Sequence, residues 1–396
     1  MNSISQSHCP VCASTEWSVF FQMPEVPVFC NLLWSDRQAA QNCNRGDLEL
    51  AFCSHCGFIG NIAFDPTRLE YTQFYENALD FSPRFQQYAK SLAMSLIERY
   101  NLHDKTILEI GSGKGEFLIL LSELGDNHGI GFDPSYVPLE KHQHSQDKVQ
   151  FIQDYYSERY SEYQGDFICC RHTLEHIPYP TKLLETIKQT IGQTQPHIFF
   201  EVPNALDTFV RLGIWDIIYE HCGYFSPVSL AYTFSSCGFR VEQVEEEFNG
   251  QFLSLEAHSS ETVTSLTADQ TTFVQQLAES IQQFKTKFNE KIDFWKNQLE
   301  TYSNQGKKMV IWGAGSKGVT FFNFLKMQNT IEYIVDINPR KQGMYVPGTG
   351  QKIIPPEFLQ EYQPDVVIVM NPIYKDEIKE MLDNMGLQDC QLETRV

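Results

Sequence analysis

The sequence predicts an α/β protein with two doubly wound, Rossmann-like sheets behind a small cysteine-bearing N-terminal module. Three observations predict it. Apolar strands alternate with helical stretches through the middle of the chain, which is the pattern of a parallel sheet. Two of the strands run into glycine-rich turns that open helices, at Gly111 to Gly115 and at Gly313 to Gly318. Two Cys-x-x-Cys pairs lie near the start.

Composition bounds the possibilities. A chain of 396 residues suggests two to three domains, each with a real core. The formal charge of −20 argues against nucleic acid as a partner, which needs clustered Lys and Arg. Eleven cysteines, an odd count without an export signal, suggest thiols and metal ligands rather than disulfides. No apolar run reaches the roughly eighteen residues of a membrane span. Met1 to Gln6 has neither a basic start nor an apolar stretch, so a cytoplasmic location is expected. Oligomeric state is left open.

The elements follow in order. Residues 1–72 hold the cysteine pairs and little helical periodicity. From residue 73 to 260 comes the first sheet. Its helix is marked by Phe85, Tyr88, Ala89, Leu92, Ala93, Leu96 and Ile97 at steps of three and four. Its strands are expected at Thr106–Ile110, His128–Phe132, Gln150–Ile152, Asp166–Cys170 and His197–Val202, with closing strands at Phe239–Val244 and Phe252–Ala257. Residues 261–305 repeat apolar side chains from Phe273 to Leu299 at helical spacing, which predicts one long amphipathic connector or two. Residues 306–396 form a second strand-turn-helix unit, with strands from Met309, at Ile331–Val335 and at Val366–Met370.

Cys9-Pro10-Val11-Cys12 and Cys53-Ser54-His55-Cys56 are two knuckles. Each presents two thiolates on a tight turn, and two together complete a tetrahedral zinc site. Four sulfurs leave no open position, so Cys9, Cys12, Cys53 and Cys56 are expected to hold structural zinc. Cys30 and Cys43 read as ordinary buried thiols.

The first glycine turn reads Leu108-Glu109-Ile110-Gly111-Ser112-Gly113-Lys114-Gly115-Glu116. Eighteen residues after Gly115 the next strand ends on Asp133, at the distance where Rossmann-type sheets hold a ribose diol. The spacing Gly-x-Gly-x-Gly, with acids before it and at the next strand end, resembles the S-adenosylmethionine (SAM) site of class I methyltransferases. A nicotinamide fingerprint would place glycine where Glu116 stands. By this resemblance Glu109, Gly111, Ser112, Gly113, Gly115 and Asp133 form the cofactor site, and Asp154 lies near the adenine. Two positions keep a second reading: Gly115 as a helix-packing glycine and Asp154 as a helix cap.

Two clusters fall where the carboxyl ends of the strands open. The first runs from Cys170 through Arg171, His172, Glu175 and His176. The second runs from Trp215 through Tyr219, Glu220 and His221 to Tyr224. A His beside a Glu offers a base with a balancing carboxylate. Tyr219 and Tyr224 add phenols able to donate to a developing oxyanion.

These features together resemble the sugar-nucleotide C-methyltransferase family, over nearly the whole chain. The marks are the two knuckles, Tyr219-Glu220-His221 followed by Tyr224-Phe225-Ser226, and the C-terminal block. That block reads Gly313-Ala314-Gly315-Ser316-Lys317-Gly318, then Asp336-Ile337-Asn338-Pro339-Arg340-Lys341, then Pro347-Gly348-Thr349. The resemblance implies a zinc-binding N-terminal domain, a central SAM domain and a C-terminal Rossmann-like domain. It implies methyl transfer to a carbon alpha to a ketone on a nucleotide-linked keto sugar. His221 would be the base, Glu220 would orient or polarise, and His176 would reach the sugar, as would Tyr75 or Tyr71. The chain departs from the family pattern at Tyr75 to Pro83 and at Met370-Asn371-Pro372-Ile373, which marks a divergent branch.

The second glycine turn keeps three readings: an NAD site, a cradle for the substrate's nucleotide diphosphate, or a packing turn. In the second, Gly313, Gly315, Lys317, Asp336, Arg340, Lys341, Asn371 and Arg171 serve the substrate. Two rivals to C-methylation are an O- or N-methyltransferase and a non-catalytic zinc-containing SAM-binding protein.

Overall fold

The computed structural model describes residues 8–69, 75–138, 147–192, 194–326 and 330–396. Tyr71 lies outside the described residues.

The N-terminal module is an antiparallel sheet of β1 (Trp17–Pro27), β2 (Arg45–Cys53) and β3 (Ile59–Asn61). The short hairpin between β2 and β3 carries the second cysteine knuckle. The sheet's last strand, β9 (Gly223–Tyr224), comes from far along the chain and pairs with Ile59 and Gly60. The first 72 residues therefore do not complete their own sheet.

The central sheet contains β4 (Thr106–Ile110), β5 (His128–Phe132), β6 (Val149–Ile152), β7 (Phe167–Arg171), β8 (His197–Pro203), β10 (Phe239–Glu247) and β11 (Phe252–Ser259). Their order is β10-β11-β8-β7-β4-β5-β6. Strands β4 to β8 are parallel, and β11 runs antiparallel to both its neighbours. The parallel strands are continuous apolar runs because both faces are covered. The order reverses between β4 and β7, so their carboxyl ends open a crevice. The helix Pro83–Tyr100 lies on one face. The Ser82 hydroxyl accepts the Phe85 amide, Pro83 pre-sets the first turn, and Asn101 ends the helix in the left-handed region.

The C-terminal sheet is fully parallel: β12 (Met309–Trp312), β13 (Tyr333–Val335), β14 (Lys352–Ile354), β15 (Val366–Val369) and β16 (Gln391–Glu393), in the order β14-β13-β12-β15-β16. Its crevice lies between β12 and β15. The strand expected at Ile331–Val335 is shorter, and β14 and β16 carried too few residues to stand out.

The connector is a single helix, Ala268–Asn304, started by a reciprocal cap between Thr267 and Gln270. At about 1.5 Å per residue it spans more than 50 Å. It is more than a connector. Phe284 meets Phe20, Phe21 and Phe209, and Trp295 meets Phe321. One apolar core thus joins the N-terminal sheet, the loop around Trp215 and the C-terminal domain. That shared core fixes the two crevices against each other.

Candidate active site

The first crevice holds a cavity of about 450 Å³ floored by the first glycine turn. Asp133 organises it. Its carboxylate accepts the Gly113 amide at 2.8 Å and the amide and hydroxyl of Ser135 at 2.7 and 2.6 Å. The glycines have separate reasons. A Cβ on Gly111 would strike the Thr173 hydroxyl, and one on Gly115 would strike the Phe151 ring. At Gly113 a Cβ would meet nothing within 4 Å, so this is where a ligand can approach bare backbone. Glu109 is buried beside it with Oε2 unpartnered. Burial pushes its pKa up to about 8, against the pull of Arg171.

The second cavity, about 270 Å³, lies between the central sheet and the C-terminal turn. Both cavities are lined by Tyr75, His172 and His176, whereas His221 and Glu175 line only the second. Open space stands over Gly315, where a Cβ would meet nothing within 4 Å. The helix Ser316–Leu325 starts there without a side-chain cap, leaving amide donors toward the cavity. Asp336 braces this turn as Asp133 braces the first: it accepts the Ala314 amide at 2.8 Å and the Asn338 amide at 2.8 Å.

Where the cavities meet, three histidines surround Glu175. His176 Nε2 and His172 Nδ1 each stand 4.0 Å from Glu175 Oε1. The His176 and His221 rings are 5.0 Å apart, edge to face. His176 Nδ1 bonds the Glu220 carbonyl at 3.0 Å. Burial drives His221 down to about 3 and His176 well below the usual range, and it raises Glu175 to about 8. At neutral pH the site holds an uncharged Glu175 beside the uncharged imidazoles of His176 and His221. His172 also reaches Glu201, Nε2 to Oε1 at 2.7 Å, with Arg171 on the same oxygen at 2.8 Å.

Residues 84–244 match the family described as a methyltransferase domain, and residues 252–394 match the C-methyltransferase C-terminal domain. The central part of the chain is a methyltransferase domain. The strand order of the central sheet is the class I Rossmann-like arrangement, and the second match spans the all-parallel C-terminal sheet. Among solved structures, the chain is similar to the Burkholderia thailandensis 1,6-didemethyltoxoflavin-N1-methyltransferase, at 15% identity over 45% of this chain and 82% of that one, TM-score 0.35. It is similar to the Synechocystis PCC 6803 magnesium protoporphyrin IX methyltransferase, at 17% identity over 48% and 91%, TM-score 0.35. No curated protein sequence matches it.

Several expected residues of the methyltransferase are placed differently by the packing. Glu220 does not orient His221. Its Oε2 accepts the Cys30 amide at 2.7 Å, and it also bonds Tyr75. Tyr219 accepts the Asp65 amide at 2.9 Å, and the Tyr224 hydroxyl sits on the backbone of Ile218. Neither phenol lines either of the two cavities described. Arg171 is neutralised by Glu201; Asp154 does line the first cavity as expected, with its carboxylate paired to Arg159 and accepting from the Tyr155 amide and the Tyr160 hydroxyl.

The basic groups of the second turn are also engaged. Lys317 pairs with Asp216 at 2.7 Å, and Arg340 with Glu76 at 3.0 Å. Lys341 bonds the Ala314 carbonyl and Asn31. Asn371 and Gln251 bond each other reciprocally at 2.8 and 2.9 Å.

Spacing placed His172 and Glu175 in the first cluster without giving them a role, and it missed Glu201. Register explains Glu201: β7 and β8 place Arg171 opposite Glu201. His172 has φ +49. A non-glycine residue there costs about 1–3 kcal/mol and persists where its surroundings over-determine it.

The four expected zinc ligands come together. Cys9 and Cys56 sulfurs are 3.7 Å apart, Cys12 and Cys53 sulfurs 3.5 Å, and all four lie within 4.8 Å. Zn–S bonds of about 2.3 Å in a tetrahedron set sulfurs about 3.8 Å apart, so the set fits that ion. Among the described residues no helix is long and apolar enough to cross a membrane.

Proposed function

We propose that this methyltransferase alkylates a carbon alpha to a ketone, on a nucleotide-linked keto sugar, with structural zinc in its N-terminal module. The observation that carries the reading is the imidazole cluster around uncharged Glu175, set where the two cavities join. SAM supplies an electrophilic methyl on its sulfonium, and the first cavity would hold it through Gly113, Asp133 and Glu109. An α-carbon becomes a nucleophile only after losing a weakly acidic proton. The cluster offers proton acceptors on the second-cavity side, beside a protonated carboxyl able to donate to the ketone oxygen.

The nucleotide reading rests on the open turn at Gly315 and the uncapped helix behind it. Among the described residues no carboxylate contacts Lys341. Lys317 and Arg340 reach a diphosphate by exchanging Asp216 and Glu76 for it.

The test is incubation with methyl-labelled SAM and paired substrates: nucleoside-diphosphate 4-keto sugars and the same keto sugars free. Label on carbon in the nucleotide-linked set supports the reading. Label on oxygen or nitrogen overturns C-methylation, and equal turnover of free sugars overturns the nucleotide requirement.

A further inference from the structure

We propose that the N-terminal module sets the position of the loop that carries His221, with Tyr219 as the positioning residue that ties the two together. His221 lines the substrate cavity, and its part in turnover rests on the C-methylation reading above. The attachment of its loop stands apart from that reading.

Each residue from Tyr219 to Tyr224 other than His221 is held from the N-terminal module. The Tyr219 hydroxyl accepts the Asp65 amide at 2.9 Å, and its ring packs on Phe64. The same ring closes on Gly46, where a Cβ would strike it. The Glu220 carboxylate accepts the Cys30 amide at 2.7 Å. The Cys222 carbonyl accepts the Asn61 amide at 3.0 Å. Gly223 and Tyr224 then pair with Gly60 and Ile59 as the last strand of the module's sheet. His221 is bracketed: the residue before it and the residue after it both bond the module. A functional side chain keeps its aim within about 0.5 Å only when such supporting bonds lock its backbone.

The second cysteine knuckle reaches this loop through a few residues of chain. Between Cys53 and Phe58 the backbone makes a tight turn. The Gly57 amide bonds the Cys53 carbonyl, and the Cys53 amide bonds the Phe58 carbonyl, both at 2.9 Å. Gly57 takes φ +74 in that turn. Phe58 stacks on Trp17 and meets Phe225, just past β9. A Cβ on Gly223 would come within 2.9 Å of the Phe58 ring, and one on Gly60 within 3.1 Å of the Cys222 carbonyl. The next residue, Ile59, opens the pairing with β9. An ion held by Cys9, Cys12, Cys53 and Cys56 fixes the turn that starts β3. The seating of β9 on β3, and the loop before it, follow from that turn. The cysteine centre therefore acts on the substrate cavity as well as on the fold of its own module.

Two measurements on the full-length protein test this. The first needs no substrate. Hydrogen–deuterium exchange, read by mass spectrometry, compares residues 216–226 with the donor turn at residues 107–118. Tyr219→Phe keeps the ring and removes the hydroxyl. It is expected to retain its metal and to hold SAM affinity within about twofold. Exchange in 216–226 is expected to quicken about threefold to tenfold, the range for one lost hydrogen bond. Stripping the metal from wild-type protein with EDTA is expected to quicken it further, and more than in 107–118. Unchanged protection of 216–226 in Tyr219→Phe overturns the proposal, and so does an equal loss in both segments of that variant.

The second is steady-state kinetics with a nucleoside-diphosphate 4-keto sugar. Tyr219→Phe is expected to raise KM for the keto substrate about threefold, with KM for SAM unchanged. An equal rise in both marks a general loss of structure and overturns the positioning role. Wild-type protein that shows the exchange pattern yet turns over no keto substrate overturns the C-methylation reading and leaves the tie between loop and module standing.

Discussion

Asp133 accepts the backbone amide of Gly113 at 2.8 Å. The acid at the end of β5 therefore shapes the turn it faces before any ligand arrives, and its spare lone pairs are left for a ribose diol. Asp133→Ala removes both. The expected loss of SAM affinity is about 1.5–3 kcal/mol, the range for hydrogen bonds to a charged group. Calorimetry with SAM reads it, and unchanged affinity sinks the assignment.

The cysteine cluster predicts one zinc per chain in protein purified without added metal. Cys53→Ser is expected to lower the melting temperature and release metal together, because a closed four-thiolate site acts on folding. A metal-free protein with the wild-type melting temperature contradicts this.

His221 lines the substrate cavity and not the donor cavity. His221→Ala is therefore expected to leave SAM affinity within about twofold. It should raise KM for the keto substrate about tenfold, the equivalent of one lost hydrogen bond at about 1.4 kcal/mol. Steady-state kinetics at saturating SAM separate KM from kcat.

Lys317 is held by Asp216 at 2.7 Å. Asp216→Asn frees the ammonium without changing shape, so a nucleoside diphosphate used as a dead-end ligand should bind more tightly. Lys317→Ala should weaken it. Opposite changes in the two variants support an anion site at the second turn. Identical affinities place the nucleotide elsewhere.

Glu109 carries a folded-state pKa of about 8 against an ordinary 4.5, chiefly through burial. The folded state therefore holds a proton that the unfolded chain has lost across that window. Stability falls as pH rises from 4.5 to 8, by up to about 1.4 kcal/mol per pH unit for this group. Glu109→Gln should flatten that slope. Urea unfolding at pH 6 and pH 8 measures it, and a slope equal to wild type refutes a neutral Glu109.

Local pattern carried much of this. Strands β4 and β5 fall on their expected bounds because a short strand closed by a turn signal, the glycine turn after β4 and Asp133-Pro134 after β5, is read from neighbouring residues. The Ala268–Asn304 helix was legible in the apolar repeat from Phe273 to Leu299, as one helix or two, and the structure makes it one, buried along a stripe from Val274 to Tyr302. Each cysteine knuckle is a turn that brings its own two sulfurs together, and only their union needed the fold.

The sequence by itself determined two glycine turns, each followed by an acid at the next strand end, and four sulfurs in two pairs. These depend on residues close in the chain, where backbone geometry dictates side-chain direction. The tertiary structure decided which carboxylate meets which imidazole. Glu220 precedes His221 in sequence yet bonds Cys30, while Glu201 reaches His172 across the pairing of β7 with β8. It also turned Tyr219 and Tyr224 into the core and spread the histidine cluster over two loops. A loop side chain points wherever distant strands leave room and a partner for it, and spacing along the chain records neither.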